Sequence, residues 1–125
     1  MKVDATEVEL NGIKYVRKDS VDHNTKAQQL DGLIYVIVRT YSAGVFAGYL
    51  KSQDGKQVVL VNARRLWYWK GAATLSQLAM EGVSSPEGCK FPCEVKSITL
   101  TEAIEVTPAT ERARQSIEKV QIWKA

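Results

Sequence analysis

The sequence predicts an α+β domain: an antiparallel β-sheet, made of a hairpin and a meander, with two helices in the C-terminal half. Three observations predict it. Residues 33–69 are apolar, β-branched and aromatic runs separated by short turn signals. Near the N-terminus an Asn11-Gly12 pair separates two short apolar stretches, the strongest two-residue hairpin signal because both central positions of that turn need positive φ. Past residue 71, Thr74 and Thr107 each stand just before residues with helical apolar spacing.

Taken in order, residues 8–16 form the expected hairpin, and the polar residues 17–32 a connector. Residues 33–41 stay apolar until Arg39, which predicts a central strand covered on both faces. Ser42-Ala43-Gly44 breaks it. Residues 45–50 give a second strand, Asp54-Gly55 a turn, and residues 57–61 a third strand that continues to Trp69. Thr74-Leu75-Ser76-Gln77 is a capping box, followed by a buried stripe of Leu75, Leu78 and Ala79, with Met80 as a further candidate, and a glycine stop at Gly82. Residues 83–93 hold Pro86, Gly88 and Pro92 and read as a loop. Residues 94–106 alternate and read as extended. Thr107-Pro108 is the expected start of the second helix, cap then proline, with Ala109, Ala113, Ile117 and Val120 on one face and Arg112 on another. Gln121-Ile122-Trp123 closes the chain as a strand or a docked tail. No composition shift divides the 125 residues, so one domain is expected, residues 1–32 as its hairpin and connector and 33–125 as its core.

Hydrophobic content of 45% and charged content of 25% are ordinary globular values. No apolar run is long enough to span a membrane, and the first residues lack the apolar core of a signal peptide, so a cytosolic protein is expected. Seventeen basic against 14 acidic residues give a net charge of +3, too mild for a general nucleic-acid binder but sufficient for a small anion. Two cysteines and one histidine fall short of a structural zinc site, so no metal and no cofactor is expected. His23 has no nucleophile motif beside it, and no phosphate loop is present, so no catalytic residue is assigned.

The most distinctive stretch is Asn62-Ala63-Arg64-Arg65-Leu66-Trp67-Tyr68-Trp69-Lys70, which carries two of the three tryptophans. Read with a period of two, Arg65, Trp67 and Trp69 share one face and Arg64, Leu66 and Tyr68 the other. Such a strand serves equally as a core strand with outward arginines or as a ligand surface. Planar guanidinium groups and aromatic faces together suit a nucleotide, base on ring and phosphate on fork. The candidate clamps are Arg39, Arg64, Arg65, Arg112 and Arg114. The candidate platforms are Tyr41, Phe46, Trp67 and Trp69.

Several blocks resemble small bacteriophage and prophage proteins. They are residues 35–48 with Arg39-Thr40-Tyr41-Ser42-Ala43-Gly44-Val45-Phe46-Ala47-Gly48, then Asn62-Ala63-Arg64-Arg65-Leu66-Trp67-Tyr68-Trp69, residues 71–79, and Cys89-Lys90-Phe91-Pro92. In size and in being a sheet-plus-helix domain the chain resembles the Thoeris anti-defence sponge proteins, which that phage set is taken to include. That resemblance implies a phage-encoded, non-catalytic protein of the host cytosol. Such a protein holds a cyclic ADP-ribose isomer, or a cyclic oligonucleotide signal, at sites formed between protomers of a homo-oligomer. The site residues named above come from their chemistry, not from the resemblance. The rival reading from the same residues is a factor that binds a host protein through its Trp/Arg-rich face, because Trp, Tyr and Arg dominate interface hot spots.

Overall fold

Residues 35–40 alternate between two buried faces because apolar side chains occupy both parities, and they form an interior strand of the sheet. The computed structural model describes residues 32–124. The expected hairpin at residues 8–16 and nearly all of the connector lie outside the described residues. Strands β1 (Tyr35–Thr40), β2 (Val45–Asp54) and β3 (Gln57–Arg65) make the expected antiparallel meander. Helix α1 (Leu75–Glu81) follows, then a short 3-10 turn at Pro86–Gly88, strands β4 (Glu94–Leu100) and β5 (Ala103–Pro108), and helix α2 (Glu111–Glu118). The sheet is five-stranded in the order β4-β3-β2-β1-β5, with every pairing antiparallel. The fold class is therefore α+β, with both described helices in the C-terminal half.

That strand order forces the sheet to curl. β4 and β5 occupy opposite edges, yet only Thr101 and Glu102 join them. Two linking residues reach about 11 Å at most, whereas a flat five-stranded sheet separates its edge strands by roughly 19 Å. A bond across the closing seam agrees: the Ala103 amide donates to the Lys56 carbonyl at the β2–β3 turn. The concave face buries Val36, Val38, Phe46, Val58, Leu60, Ala63, Leu100 and Ala103, which draw on all five strands. The convex face, with Tyr35, Ile37, Ala47 and Tyr49, is covered by Leu78 and Ala79 of α1, Ala113 and Ile117 of α2, and Phe91 of the loop.

Two expectations about boundaries change. β3 ends at Arg65, so the tryptophan stretch is not one strand. Thr107-Pro108 does not start a helix. Pro108 pairs with Val36 at the end of β5, an edge strand whose outer side needs no N–H from it. The cap is Thr110, whose hydroxyl accepts from the Ala113 amide at 3.1 Å. Its own hydroxyl donates to the Met80 carbonyl at 2.7 Å, which ties the two helices together. The tail docks as expected, with Ile122 bridged to Phe91 and the Trp123 amide donating to the Phe91 carbonyl.

The helix pair meets at Gly82, the C-cap of α1, where φ is +77°. Any Cβ there would strike the Cβ and Oγ of Ser116 on α2, whose hydroxyl accepts from the Val83 amide and donates to its carbonyl. Gly82→Ala is therefore expected to cost about 2–3 kcal/mol, from positive-φ strain and overpacking together. The shift of the urea midpoint measures it, and an unchanged midpoint would refute this account of the α1–α2 junction.

Candidate functional site

The site is set by a bulge in β3. Val58 and Leu60 face the concave core, so simple alternation would send Arg64 to the same side. Instead the register slips opposite Gly48, with Tyr49 paired to Val61 and Ala47 to Arg64. Asn62 takes up the extra residue with φ +49°, a left-handed conformation that asparagine tolerates better than most residues. Gly48 permits the close approach: a Cβ on it would lie 3.0 Å from the Cα of Ala63. Past the bulge the phase is reversed. Ala63 and Arg65 belong to the concave side, and Arg64 and Leu66 to the helix-covered side.

Arg64 is consequently buried, with only 6% of its surface exposed. Nε donates to the Pro92 carbonyl at 2.8 Å, Nη1 to Ile117 at 2.9 Å, and Nη2 to Phe91 at 3.0 Å and Val120 at 2.6 Å. Its guanidinium carbon also sits 5.5 Å from the centre of the Phe91 ring. Ile117 and Val120 lie at the C-terminal end of α2, where carbonyls lack helical partners and the dipole favours a cation. Burial lowers the Arg64 pKa, but a guanidinium keeps its charge at neutral pH. The expected role of Arg64 as an anion clamp gives way to a structural one, because four carbonyls already occupy its donors.

Arg65 has the opposite environment. Its guanidinium lies 4.5 Å from the centre of the buried Phe46 ring, and Nη1 donates to the Ala43 carbonyl at 2.8 Å in the β1–β2 turn. One face of the guanidinium is seated on Phe46, while the residue as a whole is exposed. Trp67, two residues on, is 64% exposed, and Tyr41, on the same turn as Ala43, is 77% exposed. These are the large aromatics a core would have hidden. Phe46 acts here as the support beneath Arg65, not as an exposed platform.

The remaining candidates do not join this group. Trp69 is partly buried against the helix-side core, so it does not share the face of Trp67. Arg39 forms a surface pair with Glu105 at 3.9 Å, an interaction of little energetic weight. Arg112 is exposed on α2, beside Gly82 and Ser116. The sequence reading omitted a second cluster: Tyr68 and Trp123 flank Lys90, whose Nζ lies 5.8 Å and 5.6 Å from their ring centres. Tyr68 and Lys90 also pair backbone to backbone. The signal available was the apolar tail, but nothing local linked Trp123 to residue 68. Of the cysteines, Cys89 is buried, which pushes its thiol pKa up, and Cys93 is exposed; neither forms a disulfide. Among the described residues no group of His, Cys, Asp or Glu has the arrangement of a metal site, and no helix is long and apolar enough to cross a membrane.

Compared with known families, residues 33–117 match the profile described as "Domain of unknown function (DUF6948)". That span includes the meander, the arginine pair and most of α2. No curated protein and no solved structure matches the chain.

The two adjacent arginines should respond oppositely to substitution. Arg64→Lys is expected to cost about 3 kcal/mol, because a single ammonium cannot reach the carbonyls that the fork serves and leaves buried acceptors unpaired. Arg65→Ala is expected to cost less than about 1 kcal/mol, the scale of an exposed cation–π contact. Paired denaturant titrations measure both, and equal losses would refute the division of roles.

Proposed function

We propose that this chain, which belongs to the DUF6948 family, is a phage-encoded, non-catalytic binding protein that sequesters a cyclic nucleotide-derived immune signal, a cyclic ADP-ribose isomer in the first instance, in the host cytosol. One observation carries the reading: Arg65 is pre-positioned on Phe46 and the Ala43 carbonyl while itself exposed, with exposed Trp67 two residues on in the chain and exposed Tyr41 in the turn that holds Ala43. A guanidinium already ordered by Phe46 and the Ala43 carbonyl loses little entropy on taking a phosphate, and its fork pairs with two phosphate oxygens at once. Trp67 offers an indole face for the base.

Sequestration requires closure, because a ligand on an open surface remains available to its receptor. The Arg65–Trp67 end is open, so the second wall comes from another copy of the chain, and the protein works as a homo-oligomer. Its action is mass action without turnover, governed by slow release.

A second reading, binding of a host protein, is favoured by the half-exposed Tyr68 and Trp123 around Lys90, since aromatic residues beside a cation typify interface hot spots. Native mass spectrometry with cyclic ADP-ribose isomers and cyclic oligonucleotides separates the two. The expected result is an oligomer carrying intact nucleotide, with affinity lowered by about tenfold or more in Arg65→Ala and in Arg65→Lys, since an ammonium cannot make the bidentate contact. An oligomer or monomer that holds no nucleotide would overturn the sponge reading. A hydrolysed ligand would overturn the non-catalytic one.

A further inference from the structure

The helix-covered side of β3 carries a cavity that the Arg65 surface does not use. It occupies about 440 Å³ between the sheet and the end of α2, and Tyr35, Tyr49, Asn62, Arg64, Glu94 and Glu118 line it. Its chemistry is the reverse of an anion site. Arg64 is the cation in its wall, and that guanidinium is committed to four backbone carbonyls. Glu94 is the cross-strand neighbour of Arg64 but forms no salt bridge or hydrogen bond among the described residues. Glu118 accepts from Arg114 at 2.6 Å, and Arg114 is shared with Glu111 through two further bonds. Acceptors therefore outnumber available donors around the cavity.

A second, independent feature points to a ligand. Tyr35 is 3% exposed, and its phenol has no hydrogen-bond partner among the described residues. Tyr35 lines the same cavity as Glu118, Tyr49 and Glu94, and burial together with these groups pushes its phenol pKa up, Arg114 alone opposing them. A buried phenol without a partner is costly, and such groups are nearly always satisfied. Asn62, held in the left-handed region at the bulge, adds an amide to the same wall. The rings of Tyr35 and Tyr49, packed edge to face at 5.0 Å, add aromatic surface.

We propose that this cavity is a second binding site, for a small organic cation bearing an ammonium or guanidinium group. Such a group pairs with Glu94 and Glu118, donates to the carbonyl of the Asn62 amide and to the Tyr35 oxygen, and rests its alkyl part on the tyrosine rings. Phosphates are excluded, because the two carboxylates, both exposed at the mouth of the cavity, would repel them. The site lies on the face of β3 opposite to Arg65 and does not depend on the nucleotide reading.

Isothermal titration calorimetry of the full chain with agmatine and spermidine tests it, with inorganic phosphate as the opposite-charge probe. The expected result is saturable binding of at least one cation and none of phosphate. Glu94→Gln should weaken the cation by about tenfold or more, the scale of a lost hydrogen bond to a charged group. Tyr35→Phe, which keeps the buried ring, should weaken it several-fold, and Arg65→Ala should leave it unchanged. No detectable cation binding at millimolar concentration overturns the proposal. So does cation binding that both cavity variants leave intact, which would mark loose pairing on an acidic surface.

Discussion

The structure depends on where one buried guanidinium finds its acceptors. Arg64 joins three segments otherwise linked, among the described residues, only by isolated bridges at Tyr68–Lys90 and Phe91–Ile122: β3, the loop at Phe91 and Pro92, and the end of α2. Moving such a cation out of water is costly, and its pKa falls accordingly. What offsets the cost is a set of carbonyls with acceptor capacity to spare: Phe91 and Ile117 add the arginine to a backbone amide each already accepts, and two of the four lie at a helix end whose dipole favours positive charge. The loop has few regular bonds of its own, yet Phe91 is fully buried, and the arginine fork accounts for its fixed path.

That constraint also places the exposed site. Successive strand residues point to opposite faces, so locking Arg64 inward sends Arg65 to the other side. There Arg65 meets Phe46, its cross-strand partner, and caps the open end of the curled sheet. The bulge at Asn62 makes both placements possible. Without the extra residue, β3 would present Ala63 to the helices and Arg64 to the concave core, where no carbonyls wait. A single left-handed asparagine opposite a glycine thus decides which arginine is structural and which is available.

This explains which parts of the structure were legible in the sequence. The meander was legible because β-branched runs and Asp54-Gly55 state their periodicity locally. So was α1, through Thr74, which accepts from the Gln77 amide. The second helix was placed three residues early, because Thr107-Pro108 imitates a start signal and only the pairing of Pro108 with Val36 shows that the strand is still running. The alternation of residues 64–67 was also readable, but not its sense, since bulges depend on what lies opposite, here Gly48. Two identical side chains at adjacent positions carry no local mark of which one will be buried. Trp69 was misassigned for a related reason: β3 stops at Arg65, and past it the period of two no longer holds.

The same strand divides two kinds of chemistry. On its outer side Arg65 is held by one carbonyl and one ring, which leaves donors free for an anion. On its inner side Arg64 is fully engaged, and the carboxylates nearby are left with acceptor capacity. Burial pushes the Glu94 pKa up, with Glu118 adding repulsion and Arg64 only partly opposing them. A free guanidinium in that wall would cancel the negative balance, and an outward Arg64 would take away the donor that the Val120 carbonyl accepts. The separation therefore follows from the bulge: a one-residue change of phase commits one positive charge to the fold and leaves its neighbour to solvent. It gives the two faces of β3 opposite preferences for charge.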